Sequence, residues 1–352
     1  MKAGIIGLPQ VGKTSLFSML TQTEVNLARR EDRLGIAQVP DPRLDELAEL
    51  YQPRKLTHAN LELADVGSLT TESLRDGSGI TALRPVDALV EVLRAFDEPG
   101  LAISDPATDV RNLEFDMILS DLGQVEKRIE RVAKDLKKLR SPALEQEADV
   151  LERMKAHLEG EQPLRTLPLN PEEEKRTRGF QFLSQKPILY VLNVSEVEAP
   201  QLETAVARHG LEPALAAPNT GATAICAKIE AEIAALPPEE AAEFMAGYGL
   251  EEPGVARLAR AIYRLLGLIS FFTAGEDECR AWTIPRHTRA VEGAGAIHTD
   301  LSKHFIRAEV IAWNELLALG SEAAARDKGK LRLEGKDYLV QDGDVMHIRH
   351  SG

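Results

Sequence analysis

Gly7-Leu8-Pro9-Gln10-Val11-Gly12-Lys13-Thr14 matches G-x-x-x-x-G-K-[ST] at every fixed position. The apolar run Ala3-Gly4-Ile5-Ile6 precedes it, and Ser15-Leu16-Phe17-Ser18-Met19-Leu20, which reads as a helix, follows it. Strand, glycine loop, helix is the context in which this motif binds phosphate. Glycines at both ends let the backbone curl until successive N–H groups point inward at phosphate oxygens, and the helix N-terminus adds the positive end of its dipole. Lys13 is placed to reach the β- and γ-phosphates of a nucleoside triphosphate, and the Thr14 hydroxyl to ligate magnesium. Gly7, Gln10, Val11, Gly12 and Ser15 complete the expected phosphate contacts.

The 352 residues are 43% hydrophobic and 28% charged, a soluble globular composition long enough for two or three domains with separate cores. No run approaches the ~20 apolar residues of a membrane span, and the N-terminus runs into the phosphate loop without an apolar leader. A cytoplasmic monomer with no membrane partner is expected. Two cysteines, Cys226 and Cys279, support neither a disulfide framework nor a zinc site. The net charge of −14 argues against bulk electrostatic coating of nucleic acid, DNA included, so an RNA partner has to be met by a local patch. Residues 275 to 352 hold 11 Lys plus Arg against 13 Asp plus Glu, with 5 of the 8 His; the acidity is concentrated elsewhere.

Beyond the first helix, Val25 to Leu34 is polar, contains Arg29, Arg30 and Arg33, and reads as a loop. Gly35 to Val39 reads as a strand, and Asp41 in Pro40-Asp41-Pro42 is placed to cap a helix from Arg43 to Leu50. Residues 24 to 34 contain no Ser or Thr, so the hydroxyl that usually senses magnesium and the γ-phosphate between first helix and second strand is missing. Ala59-Asn60-Leu61-Glu62-Leu63-Ala64-Asp65 alternates and ends in an acid. A carboxylate there is where a Walker B aspartate holds magnesium, which makes Asp65 the second metal candidate. GTPase-type domains continue D-x-x-G, whereas this chain runs Asp65-Val66-Gly67-Ser68. The phosphate-sensing amide therefore falls on Ser68, where a Cβ replaces the freedom of glycine. Residues 70 to 84 read as a loop, Val86 to Leu93 as a buried fourth strand, and Pro99 to Pro106 as a linker.

From Leu113 to about Leu158 the period changes. Leu122, Val125, Ile129, Val132, Leu136 and Leu139 are spaced 3, 4, 3, 4, 3, a heptad seam among charged residues. Ser141-Pro142 breaks the helix, and Leu144, Ala148, Leu151, Met154 and Leu158 supply the returning arm of an antiparallel coiled-coil hairpin, packed on itself or serving a partner. Lys186 to Asn193 returns to a buried strand ending in Asn193-Val194-Ser195-Glu196. In the guanine signature N-K-x-D the acid accepts hydrogen bonds from guanine N1 and N2; with Val194 for Lys and Glu196 for Asp, guanine selectivity should be lost. Ala222 to Ile225 is a sixth strand running into Cys226-Ala227-Lys228, the position of the base-contacting S-A-K turn, with a helix from Ile229 to Leu236. Glu251-Glu252-Pro253-Gly254 opens a helix through Leu268. The last part reads as strands 281–284, 306–310, 338–340 and 345–348, the final pair joined through an Asp-Gly turn, with a helix from Trp313 to Leu319. A small mixed sheet with one helix suggests a β-grasp module whose tryptophans and histidines suit RNA recognition.

These blocks together resemble the YchF/Obg-like ATPase family. The resemblance runs through Gly7 to Thr14, Val39-Pro40-Asp41-Pro42-Arg43-Leu44, Asn193 to Glu196, Glu251 to Gly254, Phe272-Thr273-Ala274-Gly275 and Arg280-Ala281-Trp282-Thr283. It is closest in Ile297-His298-Thr299-Asp300, Phe305 to Val310, Glu334 to Tyr338 and Asp342 to Met346. It implies an α/β fold: a Ras-like P-loop NTPase domain (1–110 and 179–274) with an inserted helical hairpin (111–178) and a C-terminal β-grasp TGS domain (275–352). It also implies ATP preferred over GTP and association with ribosomes. The chain departs from the family in both switch segments, in Ser68, and in Gln10, which replaces the Asn that contacts potassium in related NTPases and leaves potassium binding open. Residues 97 to 110 lack the family's hydrolytic histidine, and Leu69 offers no Gln to orient water.

The expected function is a slow ATPase, possibly also acting on GTP, with Lys13, Asp65 and Ser68 as its catalytic set, Thr14 and Asp65 on magnesium, and Asn193, Val194, Glu196, Cys226, Ala227 and Lys228 around the base. It would act as a ribosome-associated factor, with RNA met through the TGS domain and the hairpin. The alternative is a nucleotide-binding scaffold without turnover; a P-loop small-molecule kinase ranks third, because no lid or acceptor site is visible.

Overall fold

The computed structural model describes residues 1–23, 33–66, 83–139 and 141–351. The chain forms two compact units, Met1–Gly35 with Glu62–Ala261, and Ile36–Leu61 with Ile262–Gly352. The α/β class expected from the sequence is the one observed.

The strands in chain order are β1 (Lys2–Ile6), β2 (Arg33–Val39), β3 (Lys55–Thr57), β4 (Ala59–Asp65), β5 (Ala88–Ala95), β6 (Ile188–Val194), β7 (Thr220–Ile225), β8 (Leu268–Thr273), β9 (Glu278–Pro285), β10 (Phe305–Ala312), β11 (Arg332–Glu334) and β12 (Asp344–His350). The first sheet has the order β2-β4-β1-β5-β6-β7. In it β1 lies parallel between β4 and β5, with Ile5 opposite Asp65 and Ile6 opposite Glu91. Every residue of β6 is buried, as expected of an interior parallel strand covered on both faces. The phosphate-loop helix α1 (Lys13–Thr21) follows β1 directly.

The inserted hairpin is α3 (Pro106–Lys138) followed by α4 (Pro142–Glu159); α2 is Pro42–Tyr51. Asp105 caps α3 through its carboxylate, which accepts the Thr108 amide at 3.0 Å, so the helix begins inside the stretch that reads as a linker. Val125, Val132, Leu151 and Met154 are fully buried in the seam. Leu139 is the exception: α3 stops at Lys138, Leu139 turns to extended backbone, and its side chain is 70% exposed. Ile118 takes up the seam at the other end. There the hairpin is fastened by Asp121, 0% exposed, which accepts the amides of Leu183 and Ser184 at 3.0 and 2.7 Å.

In the second unit the sheet order is β11-β10-β12-β8-β9-β3. β8 and β9 are antiparallel, β12 lies parallel to β8, and β10 is antiparallel to β12. A helix (Ala290–Ile297) supplies Ala290 and Ala294 to the core beside Phe271, Val310 and Met346, the β-grasp arrangement. Three expectations are corrected. The helix opened by Gly254 ends at Leu265, and Gly267 (φ 65) turns the chain into β8, whose Ile269 and Phe271 pack in the sheet core. Residues 338–340 form a single antiparallel bridge, Leu339 to Arg289, in place of a strand paired with 345–348; the Asp344 carboxylate accepts the Gln341 amide and the Tyr338 hydroxyl, both at 2.8 Å, and holds the turn that follows. β12 pairs with β10 and β8 instead. The unforeseen β3 joins the edge of this sheet, parallel to β9.

The candidate nucleotide site

The loop between β1 and α1 has the backbone its motif requires. Gly12 is the N-cap of α1 at φ 92, and a Cβ there would lie 2.4 Å from the Asn193 amide nitrogen. A Cβ on Gly7 would lie 2.6 Å from the Val92 carbonyl oxygen. No side chain caps α1, and the first-turn amides of a helix have no intrahelical partner, so Thr14 and Ser15 begin a helix end suited to an anion. Gln10 sits exposed at φ 64, a conformation Asn adopts more readily than Gln.

Lys13 is 5% exposed. Its ammonium donates to the Val66 carbonyl at 2.7 Å and stands 3.2 Å from Asp65 Oδ1. That oxygen is buried and accepts no well-aligned hydrogen bond. A buried carboxylate oxygen that meets the Lys13 ammonium but receives no aligned donor, beside the helix start that carries Thr14, suits magnesium, which binds through one or two protein oxygens and keeps water and phosphate for its other ligands. Among the described residues no group of three His, Cys, Asp or Glu could hold a metal. The two-residue set expected from the sequence is the kind that relies on a nucleotide to complete it.

Asn193, 5% exposed at the end of β6, ties two loops together. Its amide donates to the Val11 carbonyl at 3.0 Å, and its carbonyl accepts the Ala227 amide at 2.9 Å. The phosphate loop and the turn before the helix Ala227–Ala235 are thereby held by one side chain. Glu196 does not present a bare carboxylate, because Lys228 reaches it at 2.8 Å across the exposed rim. Val194 departs from the expected role: its side chain is 2% exposed and packs into the core cluster that includes Ala199 and Cys226. Cys226 is itself 3% exposed, and burial pushes its thiol up.

Glu230 is the residue that sequence reading missed. It is 3% exposed and accepts the Gly254 amide at 2.8 Å and the Val255 amide at 3.3 Å, holding the Glu251 to Gly254 segment against the Cys226 turn. Arg257 adds a bond to the Ala224 carbonyl at 3.0 Å. In sequence, Glu230 is indistinguishable from an acid favoured in any first helical turn. Ser68, Leu69 and Arg29, together with all of residues 24–32 and 67–82, lie outside the described residues.

The family model YchF-GTPase_C, described as a protein of unknown function (DUF933), matches residues 268–351. A Bacillus subtilis protein named ribosome-binding ATPase YchF is 41% identical over 364 residues, covering 99% of this chain and 99% of the relative. The Escherichia coli O157:H7 protein of the same name is 39% identical over 363 residues, covering 99% and 98%. Obg-like ATPase 1 of Oryza sativa subsp. japonica is 34% identical, covering 99% of this chain and 92% of the relative. The structure of the Schizosaccharomyces pombe YchF GTPase superposes with a TM-score of 0.88 at 27% identity, covering 99% of this chain and 97% of that one. With full-length identity of this order and a shared fold across both units, the chain belongs to the YchF family.

Proposed function

We propose that this protein binds ATP in preference to GTP, hydrolyses it slowly and acts at the ribosome. The observation that carries the reading is the Lys13, Asp65 and Asn193 constellation around the Gly7 to Thr14 loop. The triphosphate would lie along the loop amides, with Lys13 exchanging the Val66 carbonyl for phosphate oxygens. Thr14 and Asp65 would hold magnesium, which neutralises phosphate charge when bound. Water would attack the γ-phosphate in line, with Lys13 and the loop N–H groups stabilising the developing charge. Turnover should be slow, because no residue suited to orienting the water is visible in the sequence; Ser68 remains the candidate amide donor toward the γ-phosphate.

Preference for adenine is supported by the engagement of Glu196 with Lys228, which occupies the acid that would otherwise receive guanine N1 and N2. Asn193 acts on the site by bracing it, with Ala227 and Cys226 forming the turn beside the base. The names of the bacterial relatives support a ribosomal partner and with it a cytoplasmic location; the division into NTPase, hairpin and TGS-type modules rests on the resemblance read from the sequence.

The test is single turnover of radiolabelled ATP with protein in excess. Phosphate release by wild type, abolished in Lys13→Ala, is the expected result. Tight ATP binding by calorimetry with no release over hours would establish the scaffold reading instead. Failure to retain any purine nucleotide with magnesium would overturn both.

A further inference from the structure

The outer face of α3 carries a feature that nucleotide binding does not use. Lys127, Arg131, Lys134 and Lys138 follow one another at intervals of four, three and four. At about 100° per residue all four fall within about 60° of arc, on the side of the helix away from the buried Val125 and Val132. All four are exposed. From Lys127 to Lys138 there are six basic residues to two acidic ones, in a chain whose net charge is −14.

Pairing separates this row from the other cations of the hairpin. Arg128 is bonded to Glu147, Lys155 to Glu126 and Glu159, and Arg153 to Glu173. Among the described residues, Lys127, Arg131 and Lys134 form no ion pair, and Lys138 meets only Asp135, at 3.7 Å. Glu130 and Asp135 flank the row on either side without interrupting it. A helix face kept merely soluble intersperses both signs; a one-signed row along a straight helix is the footprint of a polyanion. The four positions span about 16 Å of axis, the length of about five phosphates on one strand of a double helix. Exposed Leu139, 70% accessible, sits just beyond its end.

We infer that this row is a docking surface for the phosphate backbone of structured RNA, and that it is the hairpin's contact with the ribosome. The inference rests on the ribosomal reading above. A regular helix presents no base-reading groups to a groove it does not enter, so binding should be indifferent to RNA sequence and steeply dependent on salt.

The test replaces all four residues by Gln in the full chain, with a second variant replacing the three lysines by Arg to keep the charge. Each is sedimented with purified ribosomes, and each is titrated with deproteinised ribosomal RNA across a salt series. The expected result is at least tenfold weaker binding of the Gln variant to both, with the slope of log K against log salt reduced by about 2 to 4. The Arg variant should bind as wild type, and basal ATP turnover and Tm should be unchanged in both. Ribosome binding by wild type that the Gln variant retains in full would overturn the inference while leaving the ribosomal reading intact. Loss of ribosome binding by the Gln variant while wild type ignores deproteinised RNA would assign the row to an acidic ribosomal protein and overturn the RNA assignment. No ribosome binding by wild type would overturn both.

Discussion

Asn193 makes two buried hydrogen bonds from one side-chain amide, so its truncation leaves the Val11 carbonyl and the Ala227 amide without partners at once. Asn193→Ala is expected to destabilise the protein by about 2–3 kcal/mol and to weaken ATP binding more than that loss of stability explains, because the phosphate loop loses its brace. Chemical denaturation and calorimetry measure the two effects; unchanged ATP affinity would show that Asn193 does not act on the loop. Glu91 is the other telling residue. It is 4% exposed on β5, with Oε2 unpartnered; burial first, then the carboxylates of Glu114 and Asp109, push its acid well above the usual range against the opposing pull of Arg165. A raised acid binds more protons folded than unfolded, so its contribution falls as pH climbs above the unfolded carboxylate value. Tm should decline from pH 5 to 8 less steeply in Glu91→Gln than in wild type; parallel profiles would mean that Glu91 ionises normally.

The hairpin shows how far a repeat pattern predicts an element. Leu151 faces the seam at 0% exposure while Leu139 is 70% exposed, although both are leucines that the repeat assigns to one interface. Leu151→Ala should cost about 2–5 kcal/mol, seen as faster hydrogen exchange across α3 and α4, with ATP binding preserved. Leu139→Ser should change stability by less than about 0.5 kcal/mol. Equal effects at the two positions would contradict the seam. The heptad locates the helices because local spacing fixes which side chains share a face. It does not fix where a helix stops: Ser141 accepts the Leu144 amide to start α4, and the chain needs Leu139 extended to reach that cap.

At the scale of the molecule, the second unit is discontinuous in sequence. Its residues 36–61 contribute β3 to the sheet edge, and α2, whose Arg43 bridges Asp41 and Asp342 and lies over the Phe272 ring at 5.3 Å. A chain ending at Ala261 would keep α2, β3 and the Arg43–Asp41 pair but lose β9, Asp342 and Phe272. Such a truncation is expected to unfold at a Tm lower by ten degrees or more, or to aggregate through the bared strand edge. Differential scanning calorimetry checks this, and a truncation as stable as the full chain would show that 36–61 folds without the C-terminal residues.

The sequence by itself determined the phosphate loop, the apolar parallel strands, the Asp41 cap and the existence of the hairpin, because each rests on residues close together in the chain. Only the tertiary structure decided that Glu230 clasps Gly254, that Asp121 anchors the hairpin base, that Val194 belongs to the core and that β3 completes the second sheet. Each of these joins residues far apart in the chain, or depends on which face a strand buries. Whether a buried carboxylate finds an amide is a question of packing that no local pattern records.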